Sequence, residues 1–354
     1  MTAARRCGKM KVSNQHLTSQ TEGLYMQYTA PKIVCQEGDV LHDITASGRE
    51  TPWAKHKHQA QLVAGAMWEE FPPIANRMNS CADRLTFVRD WQDPANPGRL
   101  RLASAYFCRA RLCPICQWRR SLKMGGQTAA AVKWLERHDP KRYVLLTLTI
   151  RNCRPEQLAQ SLDQLQGGWQ RLMQRKQVSS VVKGFVRAVE ITYNRQTHTF
   201  HPHIHALLAV NRSYFTSRAY INQATWRDLW REAARLDYDP SVDVRRTKGE
   251  GGAVAEVTKY ATKPSDYIMP QDVGQMQEVL SALQIACAKR RFASWGGCFK
   301  EAHSALGLDD CEDGDLVHTS LELDGLSDAG AALWSYDWYC GPKLYIASEK
   351  GVLV

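Results

Sequence analysis

Two histidines in the segment His201-Pro202-His203-Ile204-His205 have a spacing that suits metal binding. Successive side chains of a β-strand point to opposite faces, so His203 and His205 share one face while Ile204 points into the core behind them. Two imidazoles placed in this way can hold one divalent metal ion. An isolated His-x-His pair also fits polar residues at the start of a strand, and that alternative stays open.

A tyrosine and a glutamate have helical spacing in the segment 256–260, which reads EVTKY. The sequence predicts a helix over 253–263 that Pro264 ends, and residues four apart lie on the same face of a helix. Glu256 and Tyr260 therefore project together. A tyrosine phenolate can attack a phosphodiester and later leave, and a carboxylate one turn away can deprotonate the phenol or a water. The alternative is a half-buried tyrosine beside a solvated glutamate.

Three of the eleven cysteines follow the pattern Cys108-x4-Cys113-x2-Cys116. A closed tetrahedral Zn²⁺ site needs a fourth ligand, and Cys81 is the natural one. Nothing in the sequence indicates export, and closely spaced cysteines in a reducing cytoplasm are more often metal ligands than disulfides. Buried free thiols are the alternative.

The charge of the chain is unevenly distributed. The net charge is +10, yet residues 306–330 hold eight acidic residues and no lysine or arginine, so the first 305 residues carry 44 basic and 26 acidic side chains. A body this basic favours a polyanionic partner, most often nucleic acid. The sequence has no apolar run long enough for a membrane span and no secretory signal, so we expect no membrane association and a cytoplasmic location.

Strand and helix patterns alternate along the middle of the chain and predict an α/β or α+β catalytic domain. We expect strands at 143–150, 184–193, 203–210 and 241–245, with the second and third forming an antiparallel hairpin. Helices are predicted at 53–71, 117–137, 155–176, 218–236 and 272–291, and Trp226 and Trp230 fit a buried helix face. The predicted organisation is a loose arm (1–52), a helical Cys-rich segment (53–140), a catalytic domain (141–305) and an acidic tail region (306–354).

In order and spacing these motifs closely resemble those of the rolling-circle plasmid replication initiators (Rep proteins) of the HUH endonuclease superfamily. The resemblance is carried by the strand 143–150 with its Leu-Thr-Leu-Thr core, by the histidine segment 201–205, and by 256–260 with Lys263 and the Ser-Asp-Tyr of 265–267 after it. It covers about 76–305, including the run Cys-Pro-x-Cys-x-Trp-Arg-Arg that these initiators often carry. It implies a central antiparallel sheet flanked by helices, with an N-terminal Cys-rich zinc-binding segment.

The resemblance also implies a reaction. In that family the histidine pair, here His203 and His205, binds Mg²⁺ or Mn²⁺. The tyrosine, here Tyr260, nicks one strand of the double-strand origin, which leaves a 5′-phosphotyrosine link and a free 3′-OH primer. The glutamate, here Glu256, serves the hydrolytic step that ends replication. The implied partners are plasmid origin DNA and the host helicase and replication machinery, in a bacterial cytoplasm.

Several assignments around this site remain open. Glu190 and His201 compete as the third metal ligand. Lys263, one helical turn from Tyr260, is the better candidate for contacting phosphate, whereas Lys259 points elsewhere and fits a contact with the DNA backbone or a solvated charge. Tyr267 is the rival nucleophile. Further candidate DNA contacts are Arg109, Arg111, Arg119, Arg120 and Lys123 near the cysteines, and Arg245, Arg246 and Lys248 in a loop before the tyrosine helix.

Three other functions remain as alternatives. A relaxase generally has its tyrosine ahead of the histidine motif, whereas here the histidines come first. Single-strand transposases share this order but are much shorter and lack the cysteine segment. A non-catalytic zinc-containing DNA-binding regulator, in which the histidines are structural, belongs to a different class, and a nicking assay would separate it from the enzyme.

Overall fold

The computed structural model describes residues 39–45, 48–90, 99–247, 254, 264–319 and 332–353. Within these ranges the chain forms two antiparallel β-sheets with helices packed against them, so the α+β class predicted from the sequence is confirmed. The strands, in chain order, are β1 (Arg84–Asp90), β2 (Arg99–Ala105), β3 (Arg142–Thr149), β4 (Val182–Asn194), β5 (Thr199–Val210), β6 (Val242–Arg246), β7 (Ala293–Gly297), β8 (Ala332–Tyr339) and β9 (Leu344–Leu353).

Helices cover the chain between these strands. In the described ranges they are α1 (Trp53–Ala66), α2 (Pro72–Asn79), α3 (Pro114–His138), α4 (Leu158–Gln174), α5 (Lys176–Ser179), α6 (Gln223–Ala234), α7 (Pro264–Tyr267), α8 (Val273–Cys287) and α9 (Cys298–Ala305). None of these helices is long and apolar enough to cross a membrane.

The larger sheet has five strands in the order β6-β3-β5-β4-β7, and every neighbouring pair is antiparallel. The predicted hairpin is its centre, but both strands are longer than the sequence pattern suggested, because Asn194 already pairs with Thr199. The side-chain oxygen of Asn194 accepts hydrogen bonds from the backbone of Gln196 and Thr197, which closes the turn. This long hairpin brings β4 residues opposite the histidine segment.

Both faces of the five-stranded sheet are buried. Leu145, Val186 and Leu207 lie on one face and belong to a core that includes residues of α3 and α9. Ile204 and Leu208 lie on the other face, in a core that includes residues of α4 and α6. Strands buried on both faces appear in sequence as nearly continuous apolar runs rather than as alternating ones, as β3 and β5 do. Trp226 and Trp230 lie in the α6 part of this core, as predicted.

The smaller sheet joins two distant parts of the chain. Its order is β2-β1-β8-β9, so residues 84–90 pair directly with 332–339. Tyr336 is buried, with its ring centroid 5.9 Å from that of Phe87. Strands from the ranges 53–140 and 306–354 therefore build this sheet together. The alternation of Trp334, Tyr336 and Trp338 is the sequence signal for this strand. No strand was predicted there, because the range was grouped with the neighbouring acidic residues.

Candidate functional site

Glu190, His203 and His205 form one buried cluster on the central hairpin. Glu190 lies opposite His203 in the β4–β5 register, and Ala188 lies opposite His205. Oε2 of Glu190 is 3.1 Å from Nε2 of His203 and 2.9 Å from Nε2 of His205. The three ligand atoms lie within 4.8 Å of one another, and all three side chains are less than a tenth exposed. Strand alternation therefore aims both imidazoles at one carboxylate oxygen.

The protonation of His203 bears on what this cluster can hold. Nδ1 of His203 lies 3.1 Å from the backbone carbonyl oxygen of His201. A carbonyl can only accept, so a hydrogen bond here places a proton on Nδ1, and the neutral imidazole of that tautomer presents a lone pair at Nε2. That lone pair faces the Glu190 oxygen. Two lone pairs at this separation repel unless a proton or a metal cation lies with them, so the residues fit a cation site.

The distances fit a divalent ion as well. Ligand atoms about 2.1 Å from an octahedral ion are about 3.0 Å apart when they are adjacent. The two distances from Glu190 to the imidazole nitrogens are 3.1 and 2.9 Å. A set of two imidazoles and one carboxylate suits Mn²⁺ and other transition ions better than it suits Mg²⁺, which prefers oxygen alone.

Of the two candidates for third ligand, the structure brings Glu190 into the cluster and leaves the His201 side chain outside it. The His201 ring is 5.2 Å from that of His203 between centroids. Burial lowers the pKa of His201, so its imidazole is predominantly neutral near pH 7. Its backbone carbonyl, rather than its ring, orients His203.

Thr147 was missed in the sequence analysis. Its hydroxyl lies 3.1 Å from Nδ1 of His205, because β3 pairs with β5 and places the two residues opposite each other. Hydrogen bonds to the second ring nitrogen fix the orientation of metal-binding histidines. The available signal was the alternation of threonines in the Leu-Thr-Leu-Thr core, which places Thr147 on one face of β3.

Four cysteines form a second cluster at the start of α3. Cys81, Cys108, Cys113 and Cys116 are buried and unbridged, and their sulfur atoms lie within 4.8 Å of one another. Sγ of Cys116 is 3.6 Å from that of Cys81 and 3.7 Å from that of Cys108. Four sulfurs about 2.3 Å from a tetrahedral Zn²⁺ are about 3.8 Å apart, whereas a disulfide would bring two of them to about 2.05 Å. The cluster therefore fits one zinc ion.

The surroundings of the cysteines favour thiolates once a cation is present. Cys113 caps α3 and Cys116 lies in its first turn, where the helix dipole stabilises negative charge. The backbone N–H of Cys108 points to the sulfur of Cys81 at 3.4 Å. Burial raises the pKa of the Cys113 thiol, and the neighbouring sulfurs raise it further. A cation is needed to hold several thiolates in this buried place.

The basic residues that follow the cysteines are largely occupied inside the protein. Arg119, Arg120 and Lys123 are buried on α3. Arg119 donates to the carbonyls of Leu316 and Val317, and Arg120 donates to that of Glu312. These side chains were predicted as DNA contacts because they cluster next to the four cysteines. Carbonyls of the acidic segment 309–317 accept these hydrogen bonds.

Arg109, Arg111 and Lys123 bind the same segment. Arg109 donates to the carbonyls of Asp313 and Gly314, Arg111 pairs with Glu312 at 3.3 Å, and Lys123 pairs with Asp309. Glu312 is 2% exposed, and its Oε1 accepts from the backbone N–H groups of Phe292 and Ala293 at 2.7 Å each. The segment 309–317 thus connects α3 to the beginning of β7. No sequence signal pointed to Glu312, since its role depends on contacts across the fold.

Arg245 and Arg246 are exposed on the strand β6 rather than in a loop, because β6 pairs with β3 up to Arg246. Arg245 pairs with Asp243 at 2.8 Å, and the guanidinium of Arg246 lies over the ring of Phe215. Lys248 of the same basic group lies outside the described residues. So do the predicted residues of the tyrosine motif, which are Glu256, Lys259, Tyr260 and Lys263.

Tyr267, the rival nucleophile, is buried in α7. Its side chain is 1% exposed, and its hydroxyl donates to the carbonyl of Leu112 at 3.2 Å. A phenol held in this way by the core cannot meet a DNA phosphate without local unfolding. The structure therefore gives Tyr267 a packing role.

An antiparallel sheet whose central hairpin carries two histidines and a glutamate, together with a four-cysteine cluster, defines an α+β protein with two groups of residues that could hold metal ions. The comparisons with known proteins identify its family. Residues 99–346 match the family model described as "Replication protein". The chain belongs to this replication-protein family, and the resemblance to Rep proteins drawn from its motifs is confirmed.

Individual relatives match over most of their length. A "Protein rep" of Bacillus amyloliquefaciens is 37% identical over 336 residues, covering 87% of this chain and 97% of the relative. A "Protein rep" of Streptococcus pneumoniae serotype 2 is 36% identical over 321 residues, covering 88% and 97% respectively. A "Replication protein" of Staphylococcus aureus is 34% identical over 227 residues, or 61% of this chain and 96% of the relative. No solved structure matches this chain significantly.

Proposed function

We propose that this chain initiates rolling-circle replication of a plasmid by nicking one strand of its double-strand origin. Membership of the replication-protein family supports the initiator role. The single observation that carries the nicking chemistry is the convergence of His203 and His205 on one oxygen of Glu190. A cation held by two imidazoles and a carboxylate is a ligand arrangement that metal-assisted phosphodiester cleavage can use.

In this proposal Glu190, His203 and His205 hold one Mn²⁺ or Mg²⁺. Bound there, the ion polarises the scissile phosphate and offsets negative charge in the transition state. Thr147 and the His201 carbonyl keep the two imidazoles oriented. The β4–β5 hairpin supplies a rigid base, because its strands are paired on both sides.

Tyr260 is the proposed nucleophile. Its phenol loses a proton to water, the phenolate oxygen attacks phosphorus, and the bond from phosphorus to the 3′ oxygen breaks. The 3′ oxygen takes a proton and becomes the primer end, while the 5′ phosphate stays on the tyrosine. Lys263, one turn away on the predicted helix, contacts a phosphate oxygen. The burial of Tyr267 supports Tyr260 as the nucleophile.

Glu256 is the proposed base for a water that hydrolyses the phosphotyrosine bond at termination, and rejoining by the 3′-OH is the other outcome. The four cysteines hold a structural Zn²⁺. Origin DNA is the proposed substrate, and a host helicase and the replication machinery are the proposed partners. The proposed location is the bacterial cytoplasm.

The decisive experiment is an incubation of the protein with Mn²⁺ and an origin oligonucleotide labelled on either side of the nick. We expect the label on the 3′ side of the nick, which keeps the 5′ phosphate, to transfer to protein, and the other label to be released on a free 3′-OH strand. Duplex binding without cleavage under any divalent ion would instead indicate the non-catalytic zinc-containing regulator.

A further inference from the structure

A cavity of about 360 Å³ lies between the segment 43–53, strand β2 and the N-terminal half of α3. Its size is within the range of small-ligand sites in proteins. It is built on other elements than the Glu190 cluster, which lies on the five-stranded sheet. The lining residues that matter here are Arg49, Trp53, Phe87, Arg99, Trp118 and Arg119.

Arg119 contributes a buried positive charge to this cavity. Its side chain is 6% exposed, and two of its guanidinium nitrogens donate to the carbonyls of Leu316 and Val317 at 2.9 and 2.6 Å. Among the residues that the structure describes, the third nitrogen, Nη1, has no acceptor. Burial lowers the pKa of Arg119 to about 10, which leaves the group charged at neutral pH. An anionic oxygen in the cavity would accept a hydrogen bond from Nη1.

Further arginines line the cavity. Arg49 is exposed and Arg99 is half-buried, and neither side chain makes a hydrogen bond or ion pair within the described ranges. Two acidic residues also line the cavity: Asp43, which accepts from the indole of Trp53 at 2.8 Å and interacts electrostatically with Arg119 and Arg99, and Glu50, which lies 3.4 Å from His42. The arginines Arg49, Arg99, Arg101 and Arg119 outnumber them. The cavity therefore favours an anion, and more cations are present than one phosphate needs.

The rest of the lining is aromatic. Trp53 meets the edge of Trp118 with 4.7 Å between ring centroids, and it meets Phe87 at 6.2 Å. Trp118 is half-buried and reaches the cavity surface. A bare inorganic anion would gain nothing from these rings. Aromatic side chains next to arginines are the combination that stacks unpaired bases and binds the adjoining phosphates.

We propose that this cavity binds one unpaired nucleotide of a DNA strand, with its phosphate on Arg119 and Arg99 and its base against Trp118. The strand is identified as DNA by the proposed function, but the binding does not depend on the nicking chemistry. A free nucleotide offers the same groups. The presence of Arg49 and Arg99 in addition to Arg119 favours a strand, because these arginines provide for more than one phosphate.

The test is fluorescence anisotropy with a labelled single-stranded oligonucleotide of about ten nucleotides without a nick site, in the absence of added Mg²⁺ or Mn²⁺. The double variant Arg49→Gln/Arg99→Gln should bind about tenfold more weakly. The slope of the logarithm of the binding constant against the logarithm of salt concentration should decrease by the amount expected for about one to two lost phosphate contacts. The matched control Arg77→Gln/Arg218→Gln changes two exposed arginines outside the cavity and should behave as wild type.

The aromatic part is tested by Trp118→Leu, for which we expect about tenfold weaker binding with the salt dependence retained. Trp134→Leu, on α3 but outside the cavity, is its control. Arg119→Gln should weaken binding most. Because Arg119 also donates to the carbonyls of Leu316 and Val317, its variant is compared only if it keeps the wild-type unfolding midpoint. If it does not, the test rests on Arg49→Gln/Arg99→Gln and Trp118→Leu.

Two results would overturn the proposal. Unchanged binding in both Arg49→Gln/Arg99→Gln and Trp118→Leu would remove the cavity from DNA binding. Competition by deoxyadenosine monophosphate as tight as that of the oligonucleotide would assign the cavity to free nucleotides instead. Nicking is not measured here, so either result leaves the proposed reaction standing, and loss of nicking in a His203 variant leaves this proposal standing.

Discussion

Glu190 and His203 face each other across the β4–β5 hairpin, with Oε2 and Nε2 3.1 Å apart although thirteen residues separate them along the chain. His205, two positions further along β5, points to the same oxygen at 2.9 Å. The register of one hairpin thus builds the whole cluster. A one-residue slip would turn the histidines to the opposite face, so the hairpin and the cation site depend on the same pairing.

The first prediction concerns this cluster. We expect Glu190→Gln and His203→Ala/His205→Ala each to lower Mn²⁺-dependent nicking of a supercoiled origin plasmid by about 10²-fold or more, because each removes ligand atoms from the cation site. Duplex binding, measured by gel shift, should stay close to wild type. His138→Ala, an exposed histidine on α3, is the control. Full nicking by the double variant would take the histidines out of the mechanism.

The choice of metal provides a second prediction. Two imidazoles and one carboxylate form a ligand set that transition ions prefer, so Mn²⁺ should support half-maximal nicking at a lower concentration than Mg²⁺. The measurement is a titration of each ion against the initial nicking rate. A lower requirement for Mg²⁺ would indicate further oxygen ligands that outweigh the imidazoles.

The zinc cluster provides a third prediction. Elemental analysis should find one Zn²⁺ per chain in wild type, and Cys113→Ser should lose it together with folding stability, because structural zinc contributes directly to folding. Cys287→Ser is a matched control, since Cys287 is equally buried but lies in α8 outside the cluster. A folded wild-type protein without metal would contradict the zinc assignment.

The sequence predicts those parts of the site that depend on local periodicity. Alternation along β5 is enough to place His203 and His205 on one face and Ile204 on the other, and the Cys-x2-Cys spacing predicts the cluster at the start of α3. The choice between Glu190 and His201 could not be made, because it depends on the register between two strands. The hydrogen bonds of Arg119 and Arg120 also could not be predicted from the sequence, since their acceptors lie about 190 positions away along the chain.

The contact between α3 and the segment 309–317 leads to a fourth prediction. Glu312→Gln should lower the free energy of unfolding by about 3 kcal/mol, because the carboxylate is buried against Arg111 and two backbone N–H groups. The measurement is urea unfolding followed by circular dichroism. Asp313→Asn, an exposed neighbour, should change the free energy by no more than about 0.5 kcal/mol. Equal effects of the two variants would show that charge in this segment, rather than the buried contact, matters.

The last prediction separates Tyr260 from Glu256. Tyr260→Phe keeps the ring but removes the attacking oxygen, so no covalent protein–DNA adduct should form, whereas Glu256→Ala should form the adduct and fail to release a hydrolysed end. Water is the weaker nucleophile, with a pKa of about 15.7, and needs a base more than an activated phenol does. The measurement is denaturing electrophoresis of labelled origin strands, with Tyr267→Phe as the control that still forms the adduct. Loss of the first cleavage in Glu256→Ala would make Glu256 the base for Tyr260 instead, and an adduct mapped to Tyr267 would overturn the assignment.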